Sequence, residues 1–536
     1  MIQEGVAILK GKRVVLSIAL TLGIAIVVGM LIGGRQSVFA QTSDNDGTVP
    51  SVVDATADEG MFTQFLPLIE HDHRYLCRFG VNVVGAGDKD ISRFNVGALR
   101  VGWYINYLAE SSPTRPGGID YTPVIRLRKS TDGTTYTYSP NGAELTAAIN
   151  ANPGAAWMIG NEPDRRDAGQ PVQDEMPPAL YAQAYHELYT LLKQQDPTAR
   201  IFAGSIVQPT PLRIKYLDLV LESYQQQYGT AMPVDGWAIH NFILNERSCA
   251  AYNNDLNLCW GADIPPGLNE TDGLIIENTL ADLQKTVSLT LFKEQIVRFR
   301  QWMLDNGYRN KPLYLTEFGV LMPAEYGFPP STVNTFMNQT FEYLLTATNP
   351  QSGYPPDGNR LVQRFSWYST SDNVSFNGYL FEQPALNQPY VMTEMGQNYR
   401  TFSAGVTDQI DLTPIELTPV TVTTASVNNN VTVNLSVKVA NSANLLTPQR
   451  FVVDFYHGNP DAGGVLLGAS SIVQVNGCGE SATANMTWTD VAPGTYTVYA
   501  RVRSLRREDV TTNNTISTSV VVTAPIQTLT QSNRVK

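Results

Sequence analysis

Charge is scarce in this chain of 536 residues: 16% are Asp, Glu, Lys or Arg, and the acidic residues outnumber the basic ones by 49 to 37. A net charge of −12 repels phosphate backbones, so nucleic acid is not a partner. Cysteine is scarcer still, with Cys77, Cys249, Cys259 and Cys478 alone. Four cysteines in so long a chain do not make a disulfide framework. Cys249 and Cys259 lie ten apart in a polar, irregular segment, and a bridge between them would staple one loop. The five histidines are scattered, and no Cys/His spacing resembles a metal site. Neither a metal nor a cofactor is therefore expected. His71 and His73 precede the first strand and read as surface residues. A full G-x-G-x-x-G is also missing, since Val84-Gly85-Ala86-Gly87 is too short, which counts against a doubly wound nucleotide-binding sheet.

The chain does have a long apolar run near its N-terminus. Lys10, Lys12 and Arg13 precede an uncharged stretch over residues 14–34, and Val38-Phe39-Ala40 suits a signal peptidase. Residues 1–40 read as an export signal cleaved after Ala40. At 21 residues the run is also long enough to span a bilayer, so membrane anchoring through residues 14–34 is the alternative. Either way the rest of the chain is extracellular or on the cell surface, with the positive charges left inside. Residues 41–74 form a polar spacer and lead-in.

Between residues 75 and 403 short apolar runs alternate with amphipathic stretches. The runs are Phe79 to Val83, Ala98 to Trp103, Pro123 to Leu127, Ala156 to Gly160, Ile201 to Ser205, Gly236 to His240, Leu313 to Thr316 and Phe365 to Tyr368. Residues 179–194, 212–228 and 291–304 carry apolar side chains at helical spacing, and Asn306-Gly307 ends the last of them. Eight β–α units in this length predict an α/β fold, a (β/α)8 TIM barrel. Composition then shifts. Residues 404–419, with Thr413-Pro414 and Thr418-Pro419, read as an extended linker. Residues 420–524 are short alternating Val- and Thr-rich strands and predict an all-β, immunoglobulin-like sandwich, with Trp488 in its core. Residues 525–536 are a tail. The chain is expected to act as a monomer.

Two strand ends carry carboxyls. Trp157-Met158-Ile159-Gly160-Asn161-Glu162-Pro163 ends an apolar run in Asn-Glu-Pro, and Pro163 stops the strand just past the carboxyl. Tyr314-Leu315-Thr316-Glu317-Phe318-Gly319 ends the seventh run in Glu. A barrel gathers its functional groups at the C-terminal ends of its strands. Glycoside hydrolysis needs such a pair, one carboxyl to protonate the leaving oxygen and one to attack. The 25 Tyr and 7 Trp suit a sugar surface, because flat rings stack on pyranose faces.

On these motifs residues 78–402 resemble clan A of the glycoside hydrolases, the retaining barrel enzymes that include cellulase-like families. The resemblance implies Glu162 as acid/base, beside Asn161 bonding a sugar 2-hydroxyl, and Glu317 as nucleophile. It implies that Arg100 supports the nucleophile and that His240 stands at the sixth strand end. Trp367 would lie under the sugar, next to Tyr368. Phe242 departs from the pattern, because a Tyr is usual there and its hydroxyl would bond the nucleophile. Glu162 should then have a raised pKa and Glu317, beside Arg100, a lowered one. Retention predicts carboxyls about 5–5.5 Å apart.

Trp103, Tyr104 and Tyr107 follow the second strand and are candidates to line the cleft. Trp260, Tyr326 and Phe328 are candidates on other mouth loops, and Arg165 and Arg166 for an anionic sugar. Residues 420–522 are similar to the bacterial cell-adhesion-related CARDB sandwich, through Val453 to Pro460, Thr487-Trp488, Pro493-Gly494 and Asn513-Asn514. The implied function is hydrolysis of β-glycosidic bonds in a poly- or oligosaccharide by double displacement, or transglycosylation on the same site. The competing reading is a non-catalytic extracellular carbohydrate-binding or adhesion protein.

Overall fold

The computed structural model of the protein describes residues 75–84, 89–166, 173–247, 262–269, 279–371, 376–385, 387–422, 430–508 and 510–523. The expected signal, spacer and tail lie outside the described residues, as do Cys249, Cys259 and Trp260.

Ten strands make one curled sheet: β1 (Leu76–Asn82), β2 (Val101–Ile105), β3 (Asp120–Thr122), β4 (Val124–Lys129), β5 (Tyr136–Ser139), β6 (Ala156–Ile159), β7 (Arg200–Ile206), β8 (Gly236–His240), β9 (Leu313–Phe318) and β10 (Arg364–Trp367). Their order is β3-β2-β1-β10-β9-β8-β7-β6-β4-β5. All neighbours are parallel except the β4–β5 hairpin. β3 and β4 are separated only by Pro123, which cannot donate to a ladder. The chain changes partner there, β3 pairing with β2 and β4 with β6, so residues 120–129 touch both sides of the curl.

Each of the eight apolar runs expected from the sequence overlaps a strand of this sheet, and β3 and β5 lie outside them. The second starts late, because Gly97–Leu99 wind into a short turn and Arg100 takes φ 55°. β1, β2, β6, β8, β9 and β10 are buried throughout, as parallel strands covered on both faces must be. Trp103, Val124, Met158, Phe202 and Tyr314 fill the inside of the curl. Helices α1 (Gly142–Ala151), α2 (Pro178–Gln195), α3 (Pro211–Tyr228), α4 (Leu280–Gln284), α5 (Leu289–Asp305), α6 (Pro330–Thr346) and α7 (Glu394–Ala404) connect the strands. No helix of the described residues is long and apolar enough to cross a membrane.

After the short hairpin β11 (Phe381–Glu382) and β12 (Val391–Met392), seven antiparallel strands follow: β13 (Leu412–Val422), β14 (Val431–Asn441), β15 (Phe451–His457), β16 (Val465–Ile472), β17 (Glu480–Val491), β18 (Gly494–Val502) and β19 (Thr515–Val522). They form two sheets, β13-β14-β17 and β16-β15-β18-β19. The expected linker over 404–419 is corrected here, since from Leu412 it is a strand paired with β14. Pro414 and Pro419 are tolerated because β13 is an edge. Trp488, expected in the core, is half-buried, stacked on His457 at 5.7 Å with Tyr496 at its edge.

The sandwich is fastened to the N-terminal ends of the curled strands. Cys77 at the start of β1 is disulfide-bonded to Cys478, a pairing the sequence reading did not contain. Next to it the buried Arg78 forks onto Asp357 and donates to the Ser442 carbonyl of the sandwich at 3.0 Å. Arg364, buried at the start of β10, donates to Asp120 and to Glu480 of the sandwich, each at 2.7 Å. Arg200 reaches the same Glu480 oxygen at 2.9 Å.

Candidate active site

The C-terminal ends of the same strands form the mouth. Four residues just at or past strand ends have left-handed backbone: Tyr107 (φ 63°), Glu162 (φ 53°), Ser205 (φ 52°) and Ile243 (φ 56°). For a side chain with a Cβ this costs on the order of 1 kcal/mol each, and such positions gather at functional sites. Gly160 (φ 80°) precedes Glu162, and a Cβ there would meet Leu127 at 3.2 Å. The chain thus turns sharply after β6, and the Glu162 amide donates to the Ser205 carbonyl at 3.0 Å. That turn aims the carboxyl inward, where Glu162 is 3% exposed.

His240, the fully buried last residue of β8, stands between the two carboxyls. Its Nδ1 lies 3.1 Å from Glu162 Oε1 and its Nε2 lies 3.3 Å from Glu317 Oε1. The first contact is a hydrogen bond; the second lacks hydrogen-bond alignment and is electrostatic. One ligand atom each of Glu162, His240 and Glu317 lies within 4.8 Å of the others, so among the described residues this is also the group that could hold a metal ion.

Arg165 donates to Glu162 Oε2 at 3.1 Å from the following turn. The Tyr107 hydroxyl accepts from the Asn82 side-chain amide at 2.9 Å, and Tyr107 favours the charged form of Glu317. Phe242, which has no hydroxyl, packs edge-on against Tyr368 at 5.6 Å beside Tyr107. The aromatic that acts on Glu317 therefore comes from the loop after β2 and not from position 242. The sequence signal was only an aromatic two residues past a strand end, and the left-handed turn that points it inward was not legible.

Burial raises both carboxyls, and their neighbours then separate them. For Glu162 the Arg165 guanidinium and the His240 bond outweigh burial and bring it down to about 2. For Glu317 burial prevails with the help of the Glu162 charge, against His240 and Tyr107, and lifts it to about 7. Burial opposes charge on His240, but Glu317 and Glu162 outweigh it and raise its pKa. Groups this close share their protons and titrate as one unit. The expected order, Glu162 high and Glu317 low, is reversed, and two residues account for it. Arg165 sits on Glu162, and Arg100 is not at the mouth.

Arg100 precedes β2 and lies at the opposite end of the sheet, donating to the Ser403 and Val406 carbonyls at 2.9 Å and pairing with Asp408. Trp103 is also corrected: it is fully buried inside the curl against Tyr314, its indole donating to the Arg78 carbonyl. Trp367 is fully buried on the outer face, edge-on to Phe318 and Phe341, with its indole donating to the Gly378 carbonyl at 2.7 Å. No ring face of Trp367 is left for a sugar. Tyr368, one residue on, is the aromatic that reaches the mouth cluster. Tyr104 stacks on Tyr121 and bonds the Thr114 carbonyl, away from the carboxyls. Asn161 is near the site, but its side-chain amide donates to Gln173 at 3.0 Å. Arg166 donates to the Leu268 carbonyl.

Two buried carboxylates outside the sequence reading hold the turn that carries Glu162. Asp174 accepts from Arg126, the Leu127 amide and the Asn161 amide. Asp164 accepts from Arg213, which also clasps Glu246.

No family model matches the chain, and no curated protein sequence matches it. Among solved structures it is similar to a glucosidase from Croceicoccus marinus, with 10% identity over 78% of this chain and 97% of that one at a TM-score of 0.36. It is likewise similar to a Paenibacillus polymyxa xyloglucanase from glycoside hydrolase family 44, with 10% identity over 78% and 97% at 0.35. A domain of a putative cell surface protein from Methanosarcina acetivorans is 24% identical, covering 22% of this chain and 94% of that one at 0.18.

Proposed function

We propose that the protein is an exported retaining glycoside hydrolase of the clan A kind, a (β/α)8 barrel with a CARDB-like sandwich, which cleaves β-glycosidic bonds. The observation that carries this is the pair of buried carboxyls, one oxygen of each within 4.8 Å and His240 between them. This spacing suits a covalent glycosyl intermediate and leaves no room for the water that inversion places between its carboxyls.

A Glu317 oxygen attacks the anomeric carbon as the bond to the leaving oxygen breaks, and that oxygen takes the proton of Glu162. Glu162 then deprotonates a water, which attacks the same carbon and releases Glu317. The first step needs the proton on Glu162 and none on Glu317, the opposite of the resting order. Arg165 is the lever. Its side chain is 26% exposed while Glu162 is 4% exposed. A sugar that draws Arg165 aside removes the charge that keeps Glu162 ionised, and the proton shared with Glu317 can cross.

The test is hydrolysis of chromogenic β-glycosides and a panel of β-glucans, mannans and xylans by wild type and Glu317→Ala. The reading expects turnover that is lost in the variant and partly restored by azide, with a glycosyl azide as product. Retained polysaccharide binding with no turnover of any substrate would instead favour the non-catalytic binding protein. Turnover abolished by EDTA would favour a metal on the same three side chains.

A further inference from the structure

The two cations that were candidates for an acidic sugar are engaged elsewhere, Arg165 with Glu162 and Arg166 with the Leu268 carbonyl. Arg126, nearby on β4, is committed to Asp174. Lys89, in the loop after β1, differs from all three. Its half-buried side chain places the ammonium over the Tyr107 ring, 5.4 Å from the centroid. Among the described residues no carboxylate lies within ion-pair distance of it.

The backbone around this side chain is fixed. Asn106, fully buried, donates from its amide to the Lys89 carbonyl at 3.3 Å and to Glu110 at 3.2 Å, and its oxygen accepts from the Tyr121 hydroxyl at 3.1 Å. Tyr107 follows directly and packs with Phe242 and Tyr368 in the aromatic cluster of the mouth. Its hydroxyl accepts from Asn82, whose amide also donates to the carbonyl of Thr316, the neighbour of Glu317, at 2.9 Å. Tyr107 therefore reaches from the strand end that carries Glu317, at its hydroxyl, to the Lys89 ammonium, at its ring. An aromatic face attracts a cation but leaves the three N–H donors of an ammonium unmet. A half-buried charge without a counter-ion is costly. Burial and the Arg126 charge bring the Lys89 pKa down to about 8 against the pull of Glu110, so the group is still mostly charged at neutral pH.

We propose that Lys89 is a specificity-determining residue that grips the acidic group of a bound sugar (a uronic carboxylate or a sulfate ester) on the Tyr107 side of the mouth, so that the glycan this site takes is acidic. Glu162 and Glu317 repel such a group at the centre of the mouth, and Lys89 draws it aside, which orients the sugar. An ammonium is a point charge and suits either group, where a guanidinium fork would favour a planar carboxylate. The proposal rests on the glycoside hydrolase reading in calling the sugar a substrate; the contact itself is one of binding and needs no turnover.

The test pairs neutral and acidic oligosaccharides of the same β-glucan, mannan and xylan backbones, with a uronic carboxylate in one series and a sulfate ester in the other. Calorimetric titration of the whole protein should show an acidic form bound more tightly than its neutral parent by about 10-fold or more, the effect of one charge-assisted hydrogen bond. The ratio should shrink with added salt. The series that shows it identifies the acidic group. Lys89→Met keeps the apolar stem on Tyr107 and removes the charge, so the preference should vanish; Lys89→Arg should retain most of it. Lys89→Gln gives the same comparison should the Met variant not fold. Equal binding of neutral and acidic forms by wild type, no binding of any acidic form, or a preference that survives the loss of the charge would each overturn the proposal. A Lys89-dependent preference with no hydrolysis of any form would defeat the hydrolase reading and leave this one standing. Hydrolysis of neutral and acidic forms alike would do the reverse.

Discussion

At the mouth of the curled sheet a buried histidine lies between two buried carboxyls; at its base, the buried Arg78 and Arg364 lie against Asp357, which is buried, and Glu480, which is 28% exposed. The two ends differ in how their charges are paired. Arg78 and Asp357, 2% and 0% exposed, meet as a fork that Gln363 and a sandwich carbonyl complete. Arg364 and Arg200 share Glu480. The base charges are matched, so burial fixes them. At the mouth Glu162 has a guanidinium and Glu317 has only an imidazole and a phenol, so the same burial pushes the two carboxyls apart. Matched charges hold the structure and mismatched ones make a proton mobile.

The comparison is sharpest under substitution. Glu317→Gln should reduce kcat by about 10⁴-fold or more with no loss of Tm, since it removes a carboxyl that burial disfavours. Asp357→Ala should do the reverse. Stranding Arg78 should cost about 3–5 kcal/mol in unfolding experiments, with kcat near wild type below the melting range. A Tm unchanged by Asp357→Ala would break the contrast. Cys77→Ser with Cys478→Ser opens a loop spanning 401 residues, and calorimetry should record a loss of about 3–5 kcal/mol, again without loss of turnover.

Smaller effects test the mouth alone. Arg165→Gln should raise the Glu162 pKa and move the alkaline limb of the kcat/KM profile upward; an unmoved limb would show that Arg165 does not set it. The Glu317 pKa is raised from 4.5 to about 7 on folding, so its contribution to stability is fully present below pH 4.5 and lost as pH rises through about 7. The Tm of Glu317→Gln should therefore gain on wild type across that window, and the gap should close below it.

Much of this was legible in the sequence, and the reasons are physical. Strands buried on both faces must be continuous apolar runs, and eight of the ten strands were visible as such; the three-residue β3 and the half-exposed β5 were not. Glu162, His240 and Glu317 stood out because polar residues end those runs. Arg100 was misread because it precedes its strand, and the start of a parallel strand lies at the base. Trp367 and Tyr368 are adjacent, but side chains alternate along a strand, so the first turned outward to Phe341 and the second reached the mouth. Tyr107 depends on one left-handed backbone angle, and the Arg165 contact on the turn after Pro163. Neither has a compositional signature. The Cys77–Cys478 bond joins residues too far apart for any spacing rule.

The position of Glu480 also sets an order of manufacture. Arg200 and Arg364 are synthesised 280 and 116 residues before Glu480, which both of them meet, and Cys77 waits 401 residues for its partner. A nascent chain that has finished the curled sheet still lacks these contacts at its base. The curled sheet should therefore be more protease-sensitive until the sandwich has left the ribosome. The sandwich thus completes the base: a copy truncated before it, though possessing every side chain at the mouth, lacks the disulfide and the Glu480 ion pairs.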